Sequence, residues 1–173
     1  MEVITLPHLE QHPLSVCLFR NVQNAAFLRQ QLLQANHDFE YAFLDASVLL
    51  SRTHVLAACF RAITDVLHAR LKSHNVHSEI VFALSPNNNI ADSFRRFGIS
   101  DQSTNILAIK VGGDASQIEA HLMQHVQGTP VLFTDATLQT MRDPARIRKI
   151  YRVDVASKEA EAFILGTMAL KGS

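Results

Sequence analysis

The stretch that most constrains the chain is residues 79–100, EIVFALSPNNNIADSFRRFGIS. Its first part, residues 80–84, is apolar and rich in branched and aromatic side chains, the length of one strand covered on both faces. Ser85-Pro86-Asn87-Asn88-Asn89 interrupts it. Proline fixes one backbone dihedral and removes a donor, and asparagines bond to their own backbone and tolerate positive φ, so a turn is expected here. Ile90, Ser93, Phe94 and Phe97 then recur at helical spacing, and Gly98 stands where a C′ residue would. The expected unit is a strand, an asparagine-rich turn and a short glycine-capped helix. Such a turn presents backbone N–H groups and three amide side chains to solvent together, a cradle suited to phosphate or sugar oxygens. Arg95 and Arg96 follow close behind; the same residues also fit a capped connection with an arginine pair on a wet face.

At 173 residues the chain suits one domain, able to bury roughly 70% of the surface its unfolded form exposes. Charged residues make up only 18% of it and the formal net charge is zero, so global electrostatics will not draw it to nucleic acid or membrane. Any such binding must come from a local patch. Cys17 and Cys59 each lie in an apolar run, as buried reduced thiols do. The start, MEVITLPHLEQH, lacks the basic region and apolar core of a secretory signal, and no apolar run approaches the ~20 residues that span a bilayer. A soluble intracellular protein is expected.

Along the chain, residues 14–19 are a strand candidate, with Asn21 or Asn24 as cap of a helix that turns Ala25, Leu28, Leu32 and Ala35 to one face. Residues 39–44 suit an edge strand or a first helical turn. Ser51 is a good N-cap for the longest helix, expected over residues 52–71, where Val55, Leu56, Cys59, Ile63, Val66 and Leu67 repeat at helical spacing. Arg70, Lys72, His74 and His77 would sit at its C-terminus, favoured there by the macrodipole, or with Arg61 supply a basic face. Residues 106–111 are a second strand candidate, closed by Gly112-Gly113. A helix with Ser116 as cap, a short strand at 131–133, a helical turn or two over 135–141 and a helix beginning at Pro144 complete the middle.

Residues 142–152 hold five cations, Arg142, Arg146, Arg148, Lys149 and Arg152, against the one acid Asp143. A solvated helix face explains them, and so does phosphate contact, for which three or four contacts would give a log–log salt slope of roughly −2 to −4. The last helix, expected from near Ser157, carries a stripe of Ala160, Phe163, Ile164 and Met168, and Ala162, Leu165, Ala169 and Leu170 fill much of the remaining circumference. An apolar surface this broad needs cover on two sides, from a central position in the core or from another protein.

The chain has no glycine-rich phosphate loop, no Gly-x-Ser-x-Gly elbow and no paired-cysteine metal pattern. His121 and His125 stand four apart, but HLMQH lacks the glutamate of the zinc peptidase helix. Neither catalysis nor a metal is expected.

Residues 78–111, SEIVFALSPNNNIADSFRRFGISDQSTNILAIKV, resemble the signature of the small kinase-binding subunit of the KEOPS (EKC) complex, the p53-related-protein-kinase-binding protein family. LFRNVQNAAFLR, SVLLSRTHVLAACFRA, KIYRV and the apolar terminal helix extend the resemblance over nearly the whole chain. It implies a single mixed α/β (α+β) domain, helices on a small, mostly antiparallel sheet. It further implies a non-catalytic subunit, without cofactor, of the nuclear and cytoplasmic assembly that makes threonylcarbamoyladenosine in tRNA. That subunit docks on and stimulates the kinase-like ATPase and holds tRNA by its 3′ CCA end, with no membrane role. By position the kinase-facing residues would be Ala160, Phe163, Ile164, Thr167 and Met168, and the tRNA-facing ones Lys72, Asn87, Asn88, Asn89, Ile90, Arg95 and Arg96. Single-stranded ends are read by hydrogen bonds and stacking with cations on the phosphates, which suits amides beside arginines. The alternatives are a free-standing RNA-binding module and a small enzyme acting on an RNA end or nucleotide.

Overall fold

A computed structural model describes residues 1–171. Strands β1 (Glu2–Ile4), β2 (Leu14–Arg20), β3 (Ala42–Asp45), β4 (Ile106–Val111) and β5 (Thr129–Val131) form one sheet of order β1-β2-β4-β3. The helices are α1 (Ala25–Leu33), α2 (Arg52–Leu67), α3 (Val76–Leu84), α4 (Ile90–Phe97), α5 (Ala115–His125), α6 (Asp135–Met141), α7 (Pro144–Tyr151) and α8 (Ala160–Leu170). Short 3-10 turns at His37–Phe39 and Ala46–Val48 flank β3. Every strand pair is antiparallel, with Cys17 and Phe43 both opposite Ala108. β4 takes one side of β2, so β1 and β5 follow one another along the other. β3 is a sheet edge, as the sequence allowed.

The strands read as nearly unbroken apolar runs because both faces of the sheet are covered. Leu14, Val16 and Leu18 of β2, with Leu107, Ile109, Ala42 and Leu44, join the core built with α2, α3, α7 and α8. Cys17, Phe19, Ile106, Ala108 and Phe43 point the other way, to Leu28 of α1, Ile118 and Leu122 of α5, and Phe39.

The segment expected as a strand at 80–84 is the second half of helix α3. Asn75 and Ser78 form a reciprocal capping box that starts a helix four residues before the apolar run. α3 lies between the sheet and α2 and buries nearly its whole circumference, so its sequence has no polar stripe to betray the helical period. Glu79, also buried, accepts from the backbone N–H groups of Lys72 and Ser73 and from the Ser73 hydroxyl.

The long helix α2 starts at the expected cap, Ser51 accepting from His54 N–H, but stops at Leu67. Val66 and Leu67 are exposed instead of extending the buried stripe, and His77 belongs to α3. α5 is capped by Asp114, not Ser116, whose hydroxyl donates to that carboxylate. Asn24 precedes α1 but its side chain ties α5 down, donating to His125 O and accepting from Gln127 N–H. β5 lies two residues before the expected strand. Gly98 ends α4 with φ −75°, outside the left-handed region; glycine fits there because a Cβ would stand 2.7 Å from Phe94 O. Gly112 and Gly113 do take positive φ and end β4.

Candidate functional site

The edge of β3 opens onto a cleft of about 720 Å³, walled by the end of α1 and the 37–39 turn on one side and by α3 and α4 on the other. Phe39, Phe43, Val81, Phe94 and Ile99 give it an apolar lining, and Arg29, Arg95, His74, Asn75, Ser78 and Ser100 converge on it. That volume lies within the range of small-ligand pockets, and the lining sets apolar surface beside a few polar groups. Arg29 pairs with Asp101 at 3.5 Å and Arg95 with Asp92 one turn back on α4. His77, in the wall, accepts from Val111 N–H through Nε2 at 3.1 Å. Burial, aided by Lys110, pushes it down to about 4, so it stays neutral near pH 7. Tyr41 places its hydroxyl 2.8 Å from His121 Nδ1, and burial raises it to about 12.

Of the seven residues carried to RNA, Arg95 lines the cleft and Ile90 stands exposed at the head of the same helix. The asparagines do form the expected turn, with negative φ throughout. Two of them hold it together: the Asn87 side-chain Oδ1 accepts from Asn89 N–H at 2.9 Å, and the Asn89 Oδ1 from Asp92 N–H at 3.0 Å as the cap of α4. Asn88 is exposed and Arg96 partly so. Lys72 lies apart, beside a small crevice with Arg61, Glu79 and Lys171. Sequence reasoning missed Arg29, His77 and Phe94. Arg29 reads as an ordinary solvent-side helix residue, and Phe94, read only as one of the residues at helical spacing, is 38% exposed at the cleft. A phenylalanine directly before the arginine pair Arg95-Arg96 was the available signal.

The C-terminal helix turns out differently from its expected role. Ala160, Ile164 and Met168 are buried against α2 within this chain, Ile164 completely, so these three have no surface to offer a partner. The Arg61 guanidinium caps the end of α8, donating to Met168 O at 2.9 Å and to Lys171 O. The Lys171 ammonium donates to Phe82 O and stands 3.5 Å from that ring's centre, anchoring the end of the described chain. Outward α8 leaves Leu170, 75% exposed, and Phe163, 51% exposed, with Thr167 partly exposed one turn on from Phe163, its hydroxyl donating to Phe163 O at 2.9 Å. Phe60 of the adjoining α2 is 42% exposed. Each of these half-exposed phenylalanines, on helices that pack together, is a candidate protein contact.

Among the described residues no group of three or more His, Cys, Asp or Glu side chains is placed to hold a metal, and no helix is long and apolar enough to cross a membrane. Both cysteines are buried, and burial raises Cys59 to about 12, far from a reactive thiolate.

Residues 19–172 match the family described as kinase binding protein CGI-121. The chain is 48% identical over 184 residues to EKC/KEOPS complex subunit cgi121 of Aspergillus fumigatus, spanning 100% of this chain and 97% of that protein. It is 39% identical over 173 residues to EKC/KEOPS complex subunit CGI121 of Yarrowia lipolytica, at 96% and 97% coverage. To EKC/KEOPS complex subunit cgi121 of Schizosaccharomyces pombe it is 34% identical over 170 residues, at 96% and 98%.

Proposed function

The chain belongs to the CGI-121 family of kinase-binding proteins, and from that premise we propose that it is a non-catalytic subunit of a KEOPS/EKC complex that modifies tRNA. In this reading it docks on the kinase-like ATPase subunit, stimulates that subunit, and helps hold tRNA by its 3′ CCA end. The other KEOPS subunits are reached through the kinase.

The observation that carries the kinase reading is the outer face of α8. Phe163, with Thr167 beside it and Phe60 on the neighbouring helix, leaves aromatic surface in water that an isolated chain gains nothing from exposing. The inner face is already committed to the fold, so Phe163 and Thr167 are the members of the carried-over kinase set that can make contact. Co-expression with a tagged kinase-like ATPase subunit tests this. The chain is expected to be retained and ATP hydrolysis to rise as it is added; an unretained chain overturns the reading.

The tRNA half rests on the cleft beside β3. A single-stranded end needs an apolar surface for stacking, hydrogen-bonding groups for base edges and cations for phosphates. Phe94, Asn75 with Ser78, and Arg29 with Arg95 supply them in one place, and Ile90, Asn88 and Arg96 flank it along α4 and its preceding turn. Lys72 would then meet RNA only outside the cleft.

A further inference from the structure

Helix α7 buries Ile147 and Tyr151 and leaves Arg148, Lys149 and Arg152 exposed. Helical spacing puts those three within one turn of each other on the outer side, with Arg142 just before the helix. Their surroundings differ from those of most arginines in the chain. Arg29, Arg52, Arg61, Arg70, Arg95 and Arg146 each pair with a carboxylate. No such pair is formed by Arg142, Arg148, Lys149 or Arg152 among the described residues. The acids nearest in sequence are engaged with backbone: Asp143 accepts from Ala145 and Arg146 N–H, and Asp154 from Ala156 N–H. In a chain of zero net charge this face is positive and uncompensated.

Two observations say what it fits. No large apolar side chain of α6 or α7 is exposed. A protein partner is held chiefly by apolar and aromatic anchors at the centre of its interface, which this face lacks, whereas guanidinium groups match phosphate oxygens two bonds at a time. Position is the second. The Tyr151 ring lies 5.8 Å from that of Phe97, and its hydroxyl donates to Leu84 O. Leu84 and Phe97 bracket the asparagine turn and α4, so Arg152, next to Tyr151, adjoins the same unit whose Phe94 and Arg95 line the cleft. Arg152 itself holds a left-handed φ of 59°, where glycine would sit without strain.

We propose that the cationic face of α7 is a second, sequence-independent contact for the sugar-phosphate backbone of the RNA whose 3′ end enters the cleft; the assignment rests on the tRNA reading above. Phosphates of the base-paired stem behind the single-stranded end are the groups it takes. The test uses the full chain, wild type against Arg148→Glu/Lys149→Glu/Arg152→Glu, with two probes: a short single strand ending in CCA, and a whole tRNA ending in CCA. Affinities are measured across a salt series. The variant is expected to hold the short strand within about twofold of wild type. Its tRNA affinity at low salt should fall by about tenfold or more and its log–log slope become shallower by ~2 to 3, the loss of three phosphate contacts.

An unchanged tRNA slope, or an equal loss on both probes, would overturn the proposal. Loss of the kinase subunit with tRNA binding intact would assign the face to an acidic protein surface and overturn it too. If wild type ignores the short strand yet its tRNA slope still depends on α7, the cleft reading fails and this one stands. Wild type binding neither probe removes both.

Discussion

The Tyr151 hydroxyl lies 2.9 Å from Nε2 of His54, and both side chains are buried. His54 Nδ1 accepts from Leu50 N–H at 3.1 Å, so Nε2 carries the proton and donates to the hydroxyl, which donates in turn to Leu84 O. This one chain of bonds joins the start of α2, the end of α3 and the end of α7. Because the asparagine turn begins at the end of α3, it also fixes where α4 and the cleft wall stand. Tyr151→Phe is expected to leave His54 Nε2–H and the Leu84 carbonyl without their partner and to destabilise the fold by ~1–3 kcal/mol, read as a lower midpoint in urea. An unchanged midpoint would mean that the bond adds nothing.

His54 and His77 predict an acid dependence of stability. Burial pushes both down to about 4 in the folded chain, whereas unfolded histidines titrate near ~6.5. The unfolded chain therefore takes up protons that the folded chain refuses, in the window between those values. Stability is complete above pH ~6.5 and is lost as pH falls from there towards ~4. Unfolding midpoints measured from pH 7 to pH 5 should decline, and a flat profile would contradict two neutral buried imidazoles.

Neighbouring residues of α8 should behave in opposite ways. Ile164 is fully buried, so Ile164→Glu places a carboxylate in the core and is expected to destabilise by several kcal/mol, lowering Tm sharply. Phe163 faces solvent, so Phe163→Asp should keep Tm within a few degrees of wild type. Equal losses of Tm for the two would contradict the observed orientation of the helix.

In the cleft, Phe94→Ala should weaken binding of a CCA-ended single strand by ~1–3 kcal/mol, roughly fivefold or more, if a base stacks there. Arg95→Glu with Arg96→Glu should weaken it further while leaving retention by the kinase subunit intact. Unchanged binding by both variants would remove this cleft from the RNA path.

Sequence periodicity carried β2, β4 and most of α2, because each has one dominant pattern, but it did not find β1. It misjudged residues 80–84, since a helix buried all round has the same continuous apolar run as a buried strand. The discriminating signal was local: Asn75 and Ser78 at capping-box spacing, with Glu79 in the first turn. α8 shows the converse. Its apolar breadth implied two covers, of which the fold itself supplies one, α2, and spacing alone could not say which stripe meets it. Ala160, Ile164 and Met168 fall four residues apart and form the inner seam, which leaves Phe163 outside. The cleft was the least legible part, for its walls come from α1, β3, α3 and α4, and only the long-range register of β3 on β4 brings them together.

The dissociation constant of this chain for the kinase-like ATPase subunit, measured by titration calorimetry for wild type and for Phe163→Asp, tests the central claim most directly. The account predicts saturable binding by wild type and a loss of about tenfold or more in the variant, as for an aromatic anchor at an interface. Equal affinities would contradict docking through the outer face of α8, and no binding by wild type would contradict the adaptor function itself.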